Sequence, residues 1–215
     1  MSDLQPVQRE LARLLFSLPE AAGYALAGGA ALLTQQIIDR DTRDLDAFIA
    51  ATPGPAPGTV DQLADALTVA AQQAGWSLQI IRRHSTFCRF ILHRDDDIVE
   101  LDLAVDSPLL EPPLAIDGIP VLAPVDLAAR KVLAIVDRLE ARDYTDLSAL
   151  AHLIGQQTCI DSALSMDAGL NVSAIAEAFE RVDCIPDDRF PDRTTDAATT
   201  RRFFKTWSRE LLDDH

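Results

Sequence analysis

The chain has 215 residues, 48% of them hydrophobic and 25% charged, a length that allows one substantial domain or two small ones. Its 34 acidic residues against 19 basic ones give a formal net charge of −15, which excludes a general nucleic-acid coat protein, because duplex binding depends on neutralising phosphates. No apolar run reaches transmembrane length and no basic-then-apolar leader opens the chain, so a cytoplasmic protein with no membrane partner is expected.

Leu4 to Leu18 reads as an amphipathic helix broken at Pro19. Tyr24 to Ala27 is a short apolar run ending at Gly28 and suits a buried strand. Ala30 to Ile38 then has helical spacing and good helix formers. Arg43 to Ala50 is the next strand, with Leu45, Ala47 and Ile49 opposite Asp44 and Asp46, and with Leu45, Phe48 and Ile49 as its core anchors. The Pro- and Gly-rich stretch from Thr52 to Thr59 predicts a surface loop. Asp61 is placed to cap a helix from about Gln62 to Ala74, which Gly75 ends. Trp76 to Arg82, Thr86 to His93 and Ile98 to Val105 are β-rich runs, the last two joined by the acidic turn Arg94 to Asp97.

After Pro108 the pattern changes. Glu111 to Pro113 is a breaker, and Ile116 to Leu122 predicts a short edge hairpin around Asp117-Gly118. From Pro124 onward nearly everything reads as helix: Val125 to Leu139, Tyr144 to Ile154, Ile160 to Ala168 and Val172 to Arg181, with Asn171 as a cap. An irregular Ile185 to Arg193 precedes a final helix over Thr195 to Leu212. The expectation is an α+β protein, with a mixed α/β part over 1–122 and a helical part over 123–215. Cys88, Cys159 and Cys184 are odd in number and widely spaced, which predicts reduced, mostly buried thiols.

The chemistry concentrates in four places. Gly28-Gly29-Ala30-Ala31-Leu32 puts a glycine pair at a strand–helix junction, where bare backbone can approach phosphates. Downstream, Asp44 and Asp46 share one side of a strand and repel each other unless a cation lies between them. Such an oxygen-rich pair suits Mg²⁺, which binds one or two carboxylates plus substrate phosphates. Taken alone, the two acids also fit a solvated strand face paired with Arg40 or Arg43, and the glycine pair also fits a tight turn; the combination is more specific than either. In the run Ile98 to Val105, Glu100 and Asp102 share a face. If this strand lies beside the Asp44/Asp46 strand, Asp102, with Glu100 as the fallback, completes a carboxylate triad able to bind metal or take a proton from a hydroxyl. Lys131 sits on the helix Val125 to Leu139, with Ile135, Arg138 and Arg142 near its stripe, and taken alone it fits a solvated helix face or, facing a cleft, a point charge on a triphosphate. Asp143 reads as a cap of the next helix, with Asp146 one turn later on the same side.

The ordered series Gly28-Gly29-Ala30-Ala31-Leu32, Arg40-x-Thr42-x-Asp44-Leu45-Asp46, Glu100-Leu101-Asp102, Lys131 and Arg142-Asp143-x-x-Asp146 resembles the AbiEii group of minimal nucleotidyltransferases. This group lies within the polymerase-beta-like superfamily and includes type IV toxin–antitoxin toxins and the MenT toxins of mycobacteria. The resemblance covers about residues 20 to 155. It implies a polymerase-beta-like mixed sheet with flanking helices, followed by a helical half that completes the active site. It implies Asp44 and Asp46 as metal ligands for Mg²⁺ or Mn²⁺, with Asp102 as the third, and an NTP as substrate. Catalytic roles would fall to Asp44, Asp46, Asp102, Lys131 and Asp146. Nucleotide contacts would fall to Gly28, Gly29, Ala30, Thr42, Lys131 and Arg138. Some relatives transfer nucleotides to the 3′ end of tRNA and others are associated with GTP, so tRNA as acceptor and a cognate antitoxin protein are implied.

The series departs from the superfamily pattern at one point. Many members place Ser or Thr directly after the first glycines, whereas this chain has Ala30 and Ala31, its nearest hydroxyls being Thr34 and Thr42. Triphosphate contact is then left to backbone N–H groups and Lys131. For an RNA acceptor, Lys131, Arg130, Arg138, Arg201, Arg202 and Lys205 are the candidates for a basic groove. Two other readings fit the same residues: an enzyme of this fold modifying a small molecule or a protein, which the net charge favours, and a nucleotide-binding module without transfer, which the alanines favour.

Overall fold

The computed structural model describes residues 3–51, 59–191 and 196–213. Most of the expected 52–59 loop, the first residue of the expected final helix and the end of the irregular stretch before it lie outside the described residues. The chain divides into two compact units, one built from residues up to Gln35 together with Asp41–Leu122, the other from Gln36–Arg40 together with Ala123 onward.

The first unit is a seven-stranded mixed sheet with three helices. Its elements are α1 (Pro6–Phe16), β1 (Tyr24–Ala27), α2 (Gly28–Thr34), β2 (Asp44–Ala50), α3 (Val60–Gln73), β3 (Ser77–His84), β4 (Phe87–Arg94), β5 (Asp97–Asp106), β6 (Leu114–Ile116) and β7 (Ile119–Val121). The strand order is β3-β4-β5-β2-β1-β7-β6. β2 runs parallel to β5 and antiparallel to β1. The register sets Leu45 beside Leu101 and Ala47 beside Leu103, and Phe90 of β4 beside Leu101. Side chains alternate along a strand, so these residues share one face, and all five are at most 1% exposed. The other face of the same strands carries Asp44, Asp46, Glu100, Asp102 and Arg89. Phe48, expected as a core anchor, falls on this acidic face because it has the parity of Asp46, and it is only partly covered.

Two local expectations shift for identifiable reasons. Thr59, not Asp61, caps α3: its hydroxyl accepts from the Gln62 N–H while the Gln62 side chain returns to the Thr59 N–H. Asp61 instead pairs with Arg83. α2 stops at Thr34 rather than Ile38, because Gln36 adopts a left-handed conformation (φ +59°) that no α-helix can continue.

The second unit is helical: α4 (Pro124–Asp137), α5 (Ala141–Ile154), α6 (Gln156–Met166), α7 (Val172–Glu180) and α8 (Ala197–Asp213). α6 begins four residues earlier than its apolar spacing predicts. Its core is aromatic. Phe204 meets Tyr144 and Phe179 edge-on, both at 4.9 Å between centroids, and Trp207 lies 4.8 Å from Phe179. The buried Tyr144 hydroxyl donates to the Ala178 carbonyl at 2.7 Å, and Ser208 donates to the Ala176 carbonyl at 3.0 Å. Arg181 donates to the Ile135 and Val136 carbonyls, which the end of α4 leaves without intrahelical partners. Cys88 and Cys159 are buried free thiols, pushed up to about 11 and about 12 mainly by burial, whereas Cys184 is exposed. Among the described residues no helix is long and apolar enough to cross a membrane.

Candidate active site

In the sheet unit, β1 delivers the chain to Gly28 at the point where β2 carries Asp46; Ala27 and Asp46 are direct strand partners. Gly28 has φ +59°, and a β-carbon there would overlap Oδ2 of Asp46. Glycine is therefore required twice over, for its backbone conformation and for the carboxylate lodged against it. Asp44, one pleat away on the same face, accepts the Thr42 hydroxyl proton at 2.6 Å. Thr42 is itself buried, its carbonyl accepting from the Gln8 side chain at 2.9 Å. Expected as a nucleotide contact, Thr42 thus directs its proton to Asp44. Ala30 is fully buried and can offer a ligand nothing beyond its backbone.

Asp102 stands directly opposite Asp46 on β5, and Glu100 opposite Asp44. Both oxygens of Asp102 accept from Arg89 of β4, at 2.8 and 2.6 Å, and Glu100 lies 3.2 Å from the same guanidinium. The Asp102 carboxylate, followed by Glu100 and Asp46, holds Arg89 well above the usual guanidinium range against the opposing cost of burial. Among the described residues, no three His, Cys, Asp or Glu side chains converge in a geometry that could hold a metal. Asp44 and Asp46 form a pair, and Asp102 is turned to Arg89.

In the helical unit, Lys131 of α4 lies between two fully buried carboxylates of α5, its ammonium 2.8 Å from Asp143 and 2.7 Å from Asp146. Asp146 also receives a two-pronged contact from Arg40, Nε to Oδ1 at 2.8 Å and Nη2 to Oδ2 at 2.7 Å. Asp143 receives Arg138 at 2.8 and 3.3 Å. Burial opposes every charge in this cluster, yet the mutual attraction outweighs it: Lys131 is held above its ordinary value, and Asp143 and Asp146 below theirs. The five side chains carry three positive and two negative charges, which leaves one positive charge.

Asp143 is not a cap. α5 starts at Ala141, so Asp143 and Asp146 both project from its first two turns. The sequence series includes Arg40 but gives no sign of its contact with Asp146. The two are 106 positions apart, and a shared place in the series is all that connects them in the sequence. Arg89 was missed for the same reason: the partner of Asp102 emerges only once β4 is registered on β5. Five of the six cations expected in a basic groove face acids: Arg130 meets Asp126, Lys131 and Arg138 meet Asp143, Arg201 meets Asp187, and Lys205 meets Asp183.

Residues 9–213 match the family described as nucleotidyl transferase AbiEii toxin, type IV toxin–antitoxin system. No curated protein matches the chain in sequence. Among solved structures, JHP933 from Helicobacter pylori superposes with a TM-score of 0.62 at 15% identity, covering 99% of this chain and 94% of that one. A second H. pylori structure gives 0.64 at 15% identity, with 98% and 97% covered. MenT4, the nucleotidyltransferase toxin Rv2826c of Mycobacterium tuberculosis, gives 0.52 at 15% identity, with 94% and 91% covered. At this identity the likeness to the solved structures concerns the fold.

Proposed function

The chain belongs to the AbiEii nucleotidyltransferase toxin family of type IV toxin–antitoxin systems, and on that footing we propose that it moves a nucleoside monophosphate from an NTP to the 3′ end of tRNA, with Mg²⁺ (or Mn²⁺) as its metal. The observation that supports this reading best is the Asp44/Asp46 pair, with Asp46 seated against the side-chain-free Gly28 and Asp44 held by Thr42. Two hard carboxylates on one face are the donor set that Mg²⁺ takes from protein when phosphates complete its shell. A divalent cation held there supplies charge neutralisation on the triphosphate and eases departure of pyrophosphate.

The chain's own residues divide the remaining work. Bare backbone at Gly28 and Gly29 admits the phosphates. Lys131, with Arg138, steadies the triphosphate as a point charge, and Asp143 and Asp146 orient the ammonium. The acceptor hydroxyl oxygen bonds to the α-phosphorus as the bond to pyrophosphate breaks, and the hydroxyl proton passes to Asp102. A carboxylate has about four lone-pair sites, so two remain on Asp102 beside the two bonds from Arg89. The partner the family implies is an antitoxin protein.

The test incubates the protein with Mg²⁺, each labelled NTP in turn, and total RNA, then with pools of small molecules and proteins. Label in the tRNA fraction is expected. Label only on a small molecule or protein overturns the acceptor, and bound nucleotide without any transfer overturns the enzymatic reading. The reading in which the acceptor is a small molecule or a protein has one observation in its favour: a net charge of −15 on a chain of whose six groove candidates five face acids.

A further inference from the structure

A second feature of the helical unit lies beside the charged cluster. A cavity of 420 Å³ is lined by the 36–39 segment, by α5 and by α8, with Gln36, Asp146, Ser148, His152, Thr199 and Phe203 on its walls. That size lies within the range of roughly 300–1,000 Å³ typical of small-molecule sites. Its walls combine two kinds of group.

One wall is flat. The His152 and Phe203 rings lie 5.2 Å apart and within 25° of parallel. His152 is exposed and Phe203 partly so, in contrast to the sealed Phe204 beside it in sequence and Trp207 one turn on. Two of the other groups, Gln36 and Ser148, are polar and unspent. Among the described residues the Gln36 amide and the Ser148 hydroxyl make no side-chain hydrogen bond. Nδ1 of His152 lies 2.6 Å from the Ser148 carbonyl and so must carry a proton. In the neutral ring Nε2 is then a bare acceptor. Gln36 adds a further signal. It occupies a left-handed position after α2, where glycine is the unstrained choice, yet this chain places a long amide there, on the cavity wall. Asp146 is both a wall of the cavity and the partner of Lys131, so an occupant sits within one side chain of the ammonium.

We propose that this cavity is a nucleobase subsite, with the base extending the His152–Phe203 stack and Gln36 and Ser148 reading its edge. The choice of a nucleobase over other planar ligands rests on the nucleotidyl-transfer reading above. The base comes either from the incoming NTP or from the last nucleotide of the acceptor.

Photocrosslinking of the full chain tests this directly, and it needs no turnover. With 4-thio-UTP or 6-thio-GTP and Mg²⁺, adducts in the peptides bearing His152 or Phe203 place the NTP base there. Adducts in those peptides only with RNA carrying a terminal 4-thiouridine place the acceptor base there. Adducts confined to other peptides, or none with any probe, overturn the subsite. His152→Ala is expected to raise KM for the crosslinking partner about tenfold with kcat within about twofold, in line with the loss of one stacking contact. Gln36→Gly relieves the left-handed strain, so its melting temperature holds or rises while KM rises; unchanged KM in both variants overturns the proposal. Absence of label transfer by the wild-type protein, with these crosslinks intact, overturns the nucleotidyl-transfer reading and leaves the subsite standing.

Discussion

The two charged centres of this protein are built on opposite plans. On the sheet, Asp44 and Asp46 stand on a partly exposed face, one against a glycine and one against a threonine hydroxyl. Among the helices, Asp143 and Asp146 are fully buried and bonded to lysine and arginine side chains of the same unit. A carboxylate on a partly exposed face can be reached by a cation from outside. A carboxylate buried among internal cations spends its charge on holding geometry. The contrast predicts that substitutions in the first centre remove activity and leave the fold, whereas those in the second remove the fold as well.

The largest effect tests that contrast at its sharpest point. Asp46→Ala should lower nucleotidyl transfer by on the order of a thousandfold and abolish toxicity on expression, with the melting curve unchanged. Transfer retained by this variant would remove the metal pair from the reading. Asp146→Ala is the counterpart. It leaves Lys131 and Arg40 buried without their shared carboxylate, and such a loss costs about 3–5 kcal/mol. Urea unfolding should report this; an unchanged midpoint would show that the cluster is not structural. Gly28→Ala joins the two kinds of effect, because the added carbon displaces the Asp46 carboxylate and the left-handed backbone disfavours it. Transfer should fall about a hundredfold while stability drops by about 1 kcal/mol. Thr42→Val deletes the proton that Asp44 accepts and should raise the Mg²⁺ concentration for half-maximal transfer about tenfold.

The smallest effect is one of pH. Asp143 and Asp146 lie below their ordinary value of 3.8, so their stabilisation is present above that pH and is lost as pH falls through their lower folded values. Lys131 lies above its ordinary value of 10.5, so its stabilisation is present below that pH and is lost as pH rises through its higher folded value. Melting temperature should therefore hold a plateau between these limits and fall beyond both. In Asp146→Ala the alkaline limb should soften, because Lys131 has lost one of the two charges that raise it.

Much of the sheet could be read from parity alone. Alternation put Asp44 and Asp46 on one side of β2, and the same alternation on β5 set Glu100 and Asp102 on one face, which the parallel register then placed opposite them. Parity failed at Phe48, where hydrophobicity suggested the core and position put the ring on the acidic face. What stayed hidden were the partners. Arg40 and Arg89 act through contacts set by tertiary register, which leaves no local pattern, whereas Thr42 lies two residues from Asp44 and only the direction of its hydroxyl was hidden. Asp143 was misread for a related reason: a helix start was assigned from Tyr144 onward, and an acid just before it resembles a cap.

The assignment of Gln36–Arg40 to the helical unit has a practical consequence. Five residues that precede β2 in the chain bring the guanidinium that completes Asp146. The protein therefore cannot be dissected by a single cut after Leu122. A fragment beginning at Ala123 would carry a buried carboxylate stripped of Arg40, and a fragment ending at Leu122 would carry Arg40 without its acceptor. Dissection requires the 36–40 segment to travel with the C-terminal half, grafted through a linker, so the unit that looks separable along the sequence is threaded twice by the same chain.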